Sequence, residues 1–243
     1  AGLVEQQHVH VAGGFGGAIN NNSSGAISIQ TSTISRNTTQ GSSFGGGINN
    51  NWTGSISIAD SVVSENTAGG WGGGVNNNWT GTIGITGSEL SDNTATGWGG
   101  GINNNDDGTV TIALATITGN SAENGGGINN NDGGTVTVTS SSISANTATG
   151  TLGGGGILNN SLGTVTIAAT TIGENDSLAG NGGGIHNNSG GTVAVANSTV
   201  SGNTATANTG VGDGGGSGGE GGGIFNNASS GSVLLAFVTI TGN

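Results

Sequence analysis

Few residues in this chain could do acid–base, ionic or metal chemistry, and most of those fall into step with one another. Arg36 is the one basic residue, against 13 acidic ones. Glu65 and Asp92 follow it at nearly equal intervals, and Glu89 lies shortly before Asp92. Two such carboxylates on neighbouring layers of a repeating structure would supply the acid and base of a glycoside hydrolase. A lyase acting on acidic polysaccharide needs a cation instead, for which the sequence offers only Arg36. The simpler expectation is an exposed ion pair between Arg36 and Glu65. Asp106 and Asp132 are separated by one such interval, with Asp107 beside the first. Their crowded oxygens would suit calcium, the one cofactor the sequence suggests, or stay solvated on a turn. His8 and His10 share a strand face, with no third ligand in view for a transition metal.

Aromatic residues keep the same step. Phe15, Phe44, Trp71 and Trp98 are evenly spaced, and Trp52 and Trp79 repeat the interval at another position. Rings one layer apart are expected to stack on each other or to offer a platform to sugar rings.

A step of about 26 to 29 residues is the period of a solenoid coil. The phrase Gly-Gly-Gly-Ile-Asn-Asn and its variants place an aliphatic marker at Ile19, Ile48, Val75, Ile102, Ile128, Ile157, Ile185 and Ile224. A second phrase, aliphatic-x-x-Asn, ends at Asn37, Asn66, Asn93, Asn120, Asn146, Asn175, Asn203 and Asn243. The interval from marker to closing Asn is constant from Ile19–Asn37 through Ile185–Asn203 and is longer by one in Ile224–Asn243. From each closing Asn to the next marker it varies widely, from the short Asn120–Ile128 to the long Asn203–Ile224. Nearly all length variation is therefore confined to one turn, as in a solenoid whose insertions point outward from a single corner.

Within the constant segment four apolar columns recur, for example Ile48, Ile56, Ile58 and Val63, or Ile102, Val110, Ile112 and Ile117. Runs such as Thr109-Val-Thr-Ile alternate with period two and are β-branched, which favours strands over helix. A fifth column of small residues, Ser32, Ser61, Ser88, Ala115, Ser141, Thr170 and Ser198, belongs near a corner. The expected fold is all-β: a right-handed parallel β-helix of about eight coils of three short strands, one domain over residues 1–243. A glycine-rich loop is inserted at about 204–223. Stacking at about 4.8 Å per coil would make a body on the order of 40 Å long.

Two residues after each marker stands Asn21, Asn50, Asn77, Asn104, Asn130, Asn159, Asn187 or Asn226; the next position holds Asn22, Asn51, Asn78, Asn105, Asn131, Asn160, Asn188 or Asn227. Asn tolerates left-handed backbone angles, and its amide can donate to and accept from identical neighbours above and below. These columns, with the closing Asn, are expected to form stacking ladders. Asn-x-Ser/Thr sequons raise glycosylation as a second reading, at Asn37, Asn51, Asn78, Asn175, Asn197 and Asn227 among others.

Gly-Gly-Gly-Ile paired with aliphatic-x-x-Asn, as in Ile117-Thr-Gly-Asn120 followed by Gly125-Gly-Gly-Ile-Asn129, resembles repeats of bacterial secreted β-helix proteins. It is similar to the Gly-Gly-Ala-Ile and Phe-x-x-Asn repeats of chlamydial polymorphic outer-membrane proteins, with Ile, Leu or Val standing where those have Phe. The resemblance covers essentially the whole chain and implies a cell-surface or extracellular setting with an adhesive or matrix role.

Composition narrows the partners. A formal charge of -12 repels phosphate backbones, so nucleic acid is not expected. No apolar run is long enough to insert in a membrane as a helix. Without cysteine there is no disulfide framework. The chain begins at Ala1 without an export signal, as an excised or mature chain would. Joining Asn243 of one copy to Ala1 of another gives an Asn-to-marker spacing inside the range found within the chain. The leading expectation is a structural extracellular protein that stacks on itself head to tail through its terminal coils. The alternatives are an adhesin or carbohydrate-binding module using the aromatic positions, a polysaccharide lyase or hydrolase, and an ice-binding protein using the Thr-x-Thr face around Thr109, Thr111, Thr135 and Thr137.

Overall fold

A computed structural model describes residues 10–206, 219–227 and 229–243. The described chain is all β-strand and forms a parallel β-helix. Every sheet contains eight strands, one from each successive coil, so the body has eight rungs. To the three expected strands the structure adds a fourth. In the third coil the marker strand is Val75–Asn77 (sheet I), followed by Thr82–Thr86 (sheet II), Glu89–Ser91 (sheet III) and Thr94–Ala95 (sheet IV). The fourth strand lies in the variable turn and is only two residues long in most coils.

Register is unbroken. Thr82 pairs with Ser55 below and Thr109 above, and Ile85 with Ile58 and Ile112. Because side chains alternate across a strand, this register sends one half of sheet II inward. Ile56, Ile83, Val110, Val136, Val165 and Val193 form one buried column; Ile58, Ile85, Ile112, Val138, Ile167 and Val195 form the next. Markers and sheet III aliphatics such as Val63, Leu90 and Ile117 complete a single core. Each buried aliphatic contributes about 1.5–3 kcal/mol relative to exposure. The outward half of sheet II is Ser, Thr, Gly, Ala, Gln and Leu, without a charge in any of its strands.

Sheet I is covered on both faces. Val75 points into the main core, yet Asn76, on the opposite face, is equally buried. The variable turn folds back over it, so close that a Cβ on Gly72 would sit 2.8 Å from the Asn76 Cβ. This is the reason for the glycine triplet. Gly72 has φ +67; a Cβ on Gly73 would lie 2.6 Å from the backbone carbon of Thr94 in sheet IV, and one on Gly74 would lie 2.8 Å from the Gly101 oxygen. Backbone packs directly on backbone there, which only glycine allows. A small second core of Ala68, Ala95 and Ala122 forms on the sheet IV side.

The corners are left-handed, but not at the ladder asparagines. Positive φ falls on Arg36, Glu65, Asp92, Ala145 and Glu174 at the corner after sheet III. It falls on Thr31, Asp60, Leu114, Ser140, Ala169, Asn197 and Phe237 at the corner after sheet II, and on Trp52, Trp79, Asp106, Asp107 and Asp132 after sheet I. The ladder asparagines are absent from these left-handed positions, so hydrogen bonding rather than backbone tolerance accounts for their repetition. Of the glycine-rich insertion at 204–223, residues 207–218 lie outside the described residues; Thr204–Ala205 is a sheet IV strand and Gly221–Gly223 leads into the last marker strand.

Candidate functional site

The most developed feature is a set of four asparagine ladders running along the axis. In the column two residues after the marker, each Nδ2 donates to the Oδ1 one coil later, from Asn21 through Asn50, Asn77, Asn104, Asn130, Asn159 and Asn187 to Asn226, at 2.8–2.9 Å. The second hydrogen closes the local turn, as from Asn77 to the Gly81 carbonyl at 2.8 Å. The closing column does the same from Asn37 to Asn243 at 2.8–3.0 Å. There each Oδ1 also accepts the backbone N–H of the Asn one coil earlier, at 3.0 Å. The remaining Nδ2 hydrogen reaches back to a carbonyl of the previous coil, as from Asn120 to Leu90 at 2.9 Å. From Asn50 and Asn66 onward the buried amides of these two columns are thereby paired on both their donor and acceptor sides, as burial requires.

The other two ladders run the opposite way. In the column three after the marker, bonds run from Asn188 down to Asn160, Asn131, Asn105, Asn78, Asn51 and Asn22 at 2.8–3.3 Å. The fourth ladder, one residue after the marker, goes beyond the columns expected from the sequence. Asn129 donates to Asn103, Asn103 to Asn76, Asn76 to Asn49 and Asn49 to Asn20, at 2.7–2.9 Å. It stops at Asn129 because the next three coils place Leu158, His186 and Phe225 in that column. The Asn129 Oδ1 is left buried without a donor. His186 is also buried; its Nδ1 faces the Leu152 carbonyl, its ring meets Phe225 edge-on at 5.0 Å, and its Nε2 has no partner. Burial pushes its pKa below the ordinary 6.5, against the opposing pull of the Leu152 carbonyl.

The small-residue column also forms a coil-to-coil chain. Ser61 Oγ accepts the Ser32 N–H and Ser88 Oγ the Ser61 N–H, both at 3.1 Å, while each hydroxyl donates to the carbonyl two residues earlier.

Both aromatic columns stack. Phe15, Phe44, Trp71 and Trp98 follow one another with ring centroids 5.1, 4.6 and 5.9 Å apart. Trp52 and Trp79 lie 5.4 Å apart at 8° between planes, each about half exposed. Rings so placed cover the faces they turn to each other. The column above them continues with Asp106 and Asp132, and beside it the Asn78 amide has hydrogen-bond partners in either orientation. As a ladder member it bonds Asn51 and Asn105 at 3.2 and 3.3 Å; with its amide turned it donates to Asp106 and accepts the Trp79 indole N–H, both at 3.1 Å.

Arg36 and Glu65 form the expected pair, Nε to Oε2 at 2.9 Å, with both side chains about half exposed. Their hydrogen bond and mutual charge raise the Arg36 pKa and lower that of Glu65. Asp92 occupies the same corner column one coil on, and Glu89 is exposed on sheet III. Asp106, Asp107 and Asp132 do come together: the Asp107 N–H donates to the Asp132 carbonyl at 3.0 Å. Partial burial first, then the charge of Asp132, raises the Asp106 pKa. Asp132 Oδ2 accepts from Asn131 at 2.6 Å. Among the described residues, no three His, Asp or Glu side chains are arranged to hold a metal ion. His8 lies outside the described residues, and with it the expected histidine pair.

The sequons divide by burial. Asn37 and Asn175 are buried ladder members whose Nδ2 donates to Asn66 and Asn203, so a sugar on that nitrogen is incompatible with the ladder. Asn51 and Asn78 are half-buried ladder members. Asn197, at φ +50 on a corner, and Asn227, exposed on the last coil, stand outside these constraints.

Comparison with family models, with curated proteins and with solved structures returns no match for this chain. No helix of the described residues is long and apolar enough to cross a membrane.

Proposed function

We propose that this protein is a structural β-solenoid of the extracellular space or cell surface, whose coils stack on those of further copies to build a rod or matrix. One observation carries this reading: in three of the four sheets the outermost strands match each other and no described strand pairs with their outer edges, while in the fourth His10–Ala12 continues past Asn37–Thr39. The edge strands Ile19–Asn22, Ala26–Gln30 and Thr33–Ser35 have the same lengths as Ile224–Asn227, Ser232–Ala236 and Thr239–Thr241 at the other edge. Sheet edges are normally blunted by charge, proline or a bulge. None of these six strands carries a charge or a proline, although the chain as a whole bears -12. One edge opens on a mouth whose apolar wall is Ile19, Ile27, Ile29 and Ile34, with Ile29 and Ile34 already buried and Ser, Thr, Gln and Asn side chains completing the lining. The other exposes Leu235 and Ile240, at 43% and 47%. Such an edge accepts a coil whether it comes from a second copy or from elsewhere along one polypeptide; the isolated chain tests the first case.

Sedimentation velocity over rising concentration, with electron microscopy of the same samples, tests the reading. Rods one solenoid wide that lengthen with concentration are expected. A single monomeric species throughout would overturn it.

The half-exposed Trp52–Trp79 pair favours one second reading, an adhesive or glycan-binding surface, because about half of each side chain is open to solvent. Trp52→Ala and Trp79→Ala would each abolish glycan-array binding on that reading and leave self-stacking unchanged.

A further inference from the structure

The four asparagine ladders do not run in the same direction, and this gives the two edges different hydrogen-bonding faces. Two ladders donate from earlier to later coils, through Asn21 to Asn226 and Asn37 to Asn243. Two donate from later to earlier coils, ending at Asn22 and Asn20. At the first rung Asn21 therefore presents an Oδ1 acceptor that receives only the Ser23 hydroxyl, and Asn20 and Asn22 present Nδ2 donors, while Asn37 lies one strand further in, paired with His10. At the last rung Asn226 holds the donor end of its ladder, whereas the Asn243 Nδ2 is already bonded to the Val200 and Thr241 carbonyls.

We infer that the partner of each edge is the opposite edge of a second copy, in one direction only, so that assemblies of this chain are unipolar. The inference rests on the stacking reading above and adds its direction. In a head-to-tail contact Asn226 Nδ2 meets Asn21 Oδ1 and Asn22 Nδ2 meets Asn227 Oδ1, while the place before Asn37 is held by His10 of its own chain. The core columns continue too: Ile224 under Ile19, Val233 under Ile27, Leu235 under Ile29 and Ile240 under Ile34. These are the alignments already seen between neighbouring coils, such as Ile185 with Ile224 and Val193 with Val233. One column does not match, since Phe225 faces Asn20; Asn20 is exposed, so water satisfies its amide. A symmetric contact between two first rungs sets like against like wherever a ladder meets its own copy, acceptor on acceptor at Asn21 and donor on donor at Asn20 and Asn22, and leaves those groups unpaired. It also runs the edge strands antiparallel, which breaks every core column.

The contact is heterologous, and such contacts propagate without closing when no rotation returns to the start. Edge-specific variants separate direction from stacking. Ile27→Lys places an ammonium in the mouth of the first rung and leaves the last rung intact; Leu235→Lys does the reverse. Each alone is expected to remain monomeric by sedimentation, and an equimolar mixture is expected to form a dimer that grows no further. Self-dimerisation of either variant through its intact edge would overturn the inference, as would a mixture that stays monomeric while the unmodified chain assembles. Failure of the unmodified chain to assemble at all is the separate failure of the stacking reading. If either lysine variant fails to fold, judged by circular dichroism, image reconstruction of the unmodified rods reads the direction of every subunit directly. All should point the same way, and alternating subunits would overturn the inference.

Discussion

Asn129 and Leu158 stand in register on neighbouring coils, and the leucine leaves the buried Asn129 Oδ1 without the amide that every earlier member of its ladder receives. The position of a ladder substitution therefore matters more than its chemistry. Asn129→Leu removes one unpaired oxygen and creates another at Asn103, so the number of orphans is unchanged. Asn103→Leu strands both the Asn76 Oδ1 and the Asn129 Nδ2. We expect Asn103→Leu to lower stability by about 2 kcal/mol or more relative to Asn129→Leu. Urea midpoints of the two variants measure the difference.

The closing ladder should be the most sensitive to charge. Asn120 is fully buried; its Oδ1 accepts from Asn93 and its Nδ2 donates to Asn146 and Leu90. Asn120→Asp keeps the shape but turns an acceptor, and a buried charge, toward Asn146 Oδ1 and the Leu90 carbonyl. A loss of about 3–5 kcal/mol is expected near neutral pH, and it should shrink as acid protonates the new carboxyl. Thermal melts of Asn120→Asp and Asn120→Ala from mildly acidic to neutral pH check this, because alanine carries no titrating group.

Glycine substitutions should split by location. Gly73→Ala drives a Cβ into the Thr94 backbone and should cost more than about 3 kcal/mol, since neither backbone can give way. Gly84 lies on the outer face of sheet II with nothing within 4 Å of an added methyl and no positive φ. Gly84→Ala should stabilise by about 0.4–1 kcal/mol by restricting the unfolded chain. Differential scanning calorimetry of the two alanine variants reads opposite signs if backbone-on-backbone packing is the reason for the triplet.

His186 makes stability depend on pH. Burial holds its pKa below the ordinary 6.5, so between the two values the unfolded chain binds a proton that the folded chain does not. Stability is then full above the unfolded value and falls as pH drops through about 6.5 toward the folded one. His186→Phe removes the group and matches Phe225 above it. The melting temperature of the unmodified chain should decline from just above that unfolded value to about one pH unit below it, and more steeply than that of the variant. Equal slopes would show that His186 does not titrate as argued.

The solenoid itself is readable because its signals are redundant. Markers, closing Asn and the period-two run of sheet II repeat in every coil, and the constant interval from marker to closing Asn leaves little freedom in register. The fourth strand is hidden for physical reasons. A pair such as Thr94–Ala95 is too short to show alternation and lies in the segment whose length varies. The left-handed corners are hidden as well, because Trp79, Asp106, Leu114 and Phe237 share a backbone conformation rather than a residue type. Asparagine columns are legible where they run the whole length. The one through Asn20 and Asn129 is obscured because its last three coils hold other residues, and the buried His186 that replaces it is obscured with it. Sequence places Arg36 against Glu65 and ring on ring in both aromatic columns, where the coil interval alone sets the neighbour.

The opposed ladders have an electrical consequence. Aligned amides in an α-helix add their dipoles and leave partial charges at its ends. Here the side-chain amides of Asn21 to Asn226 and Asn37 to Asn243 point along the axis one way, and those of the columns through Asn22 and Asn20 point the other. Their moments oppose and largely offset each other as far as the coil of Asn129, beyond which Leu158, His186 and Phe225 end one of the opposing ladders. Coils with all four ladders therefore add little potential from these amides at the tips of a stack, whereas the coils of Leu158, His186 and Phe225 leave a net moment.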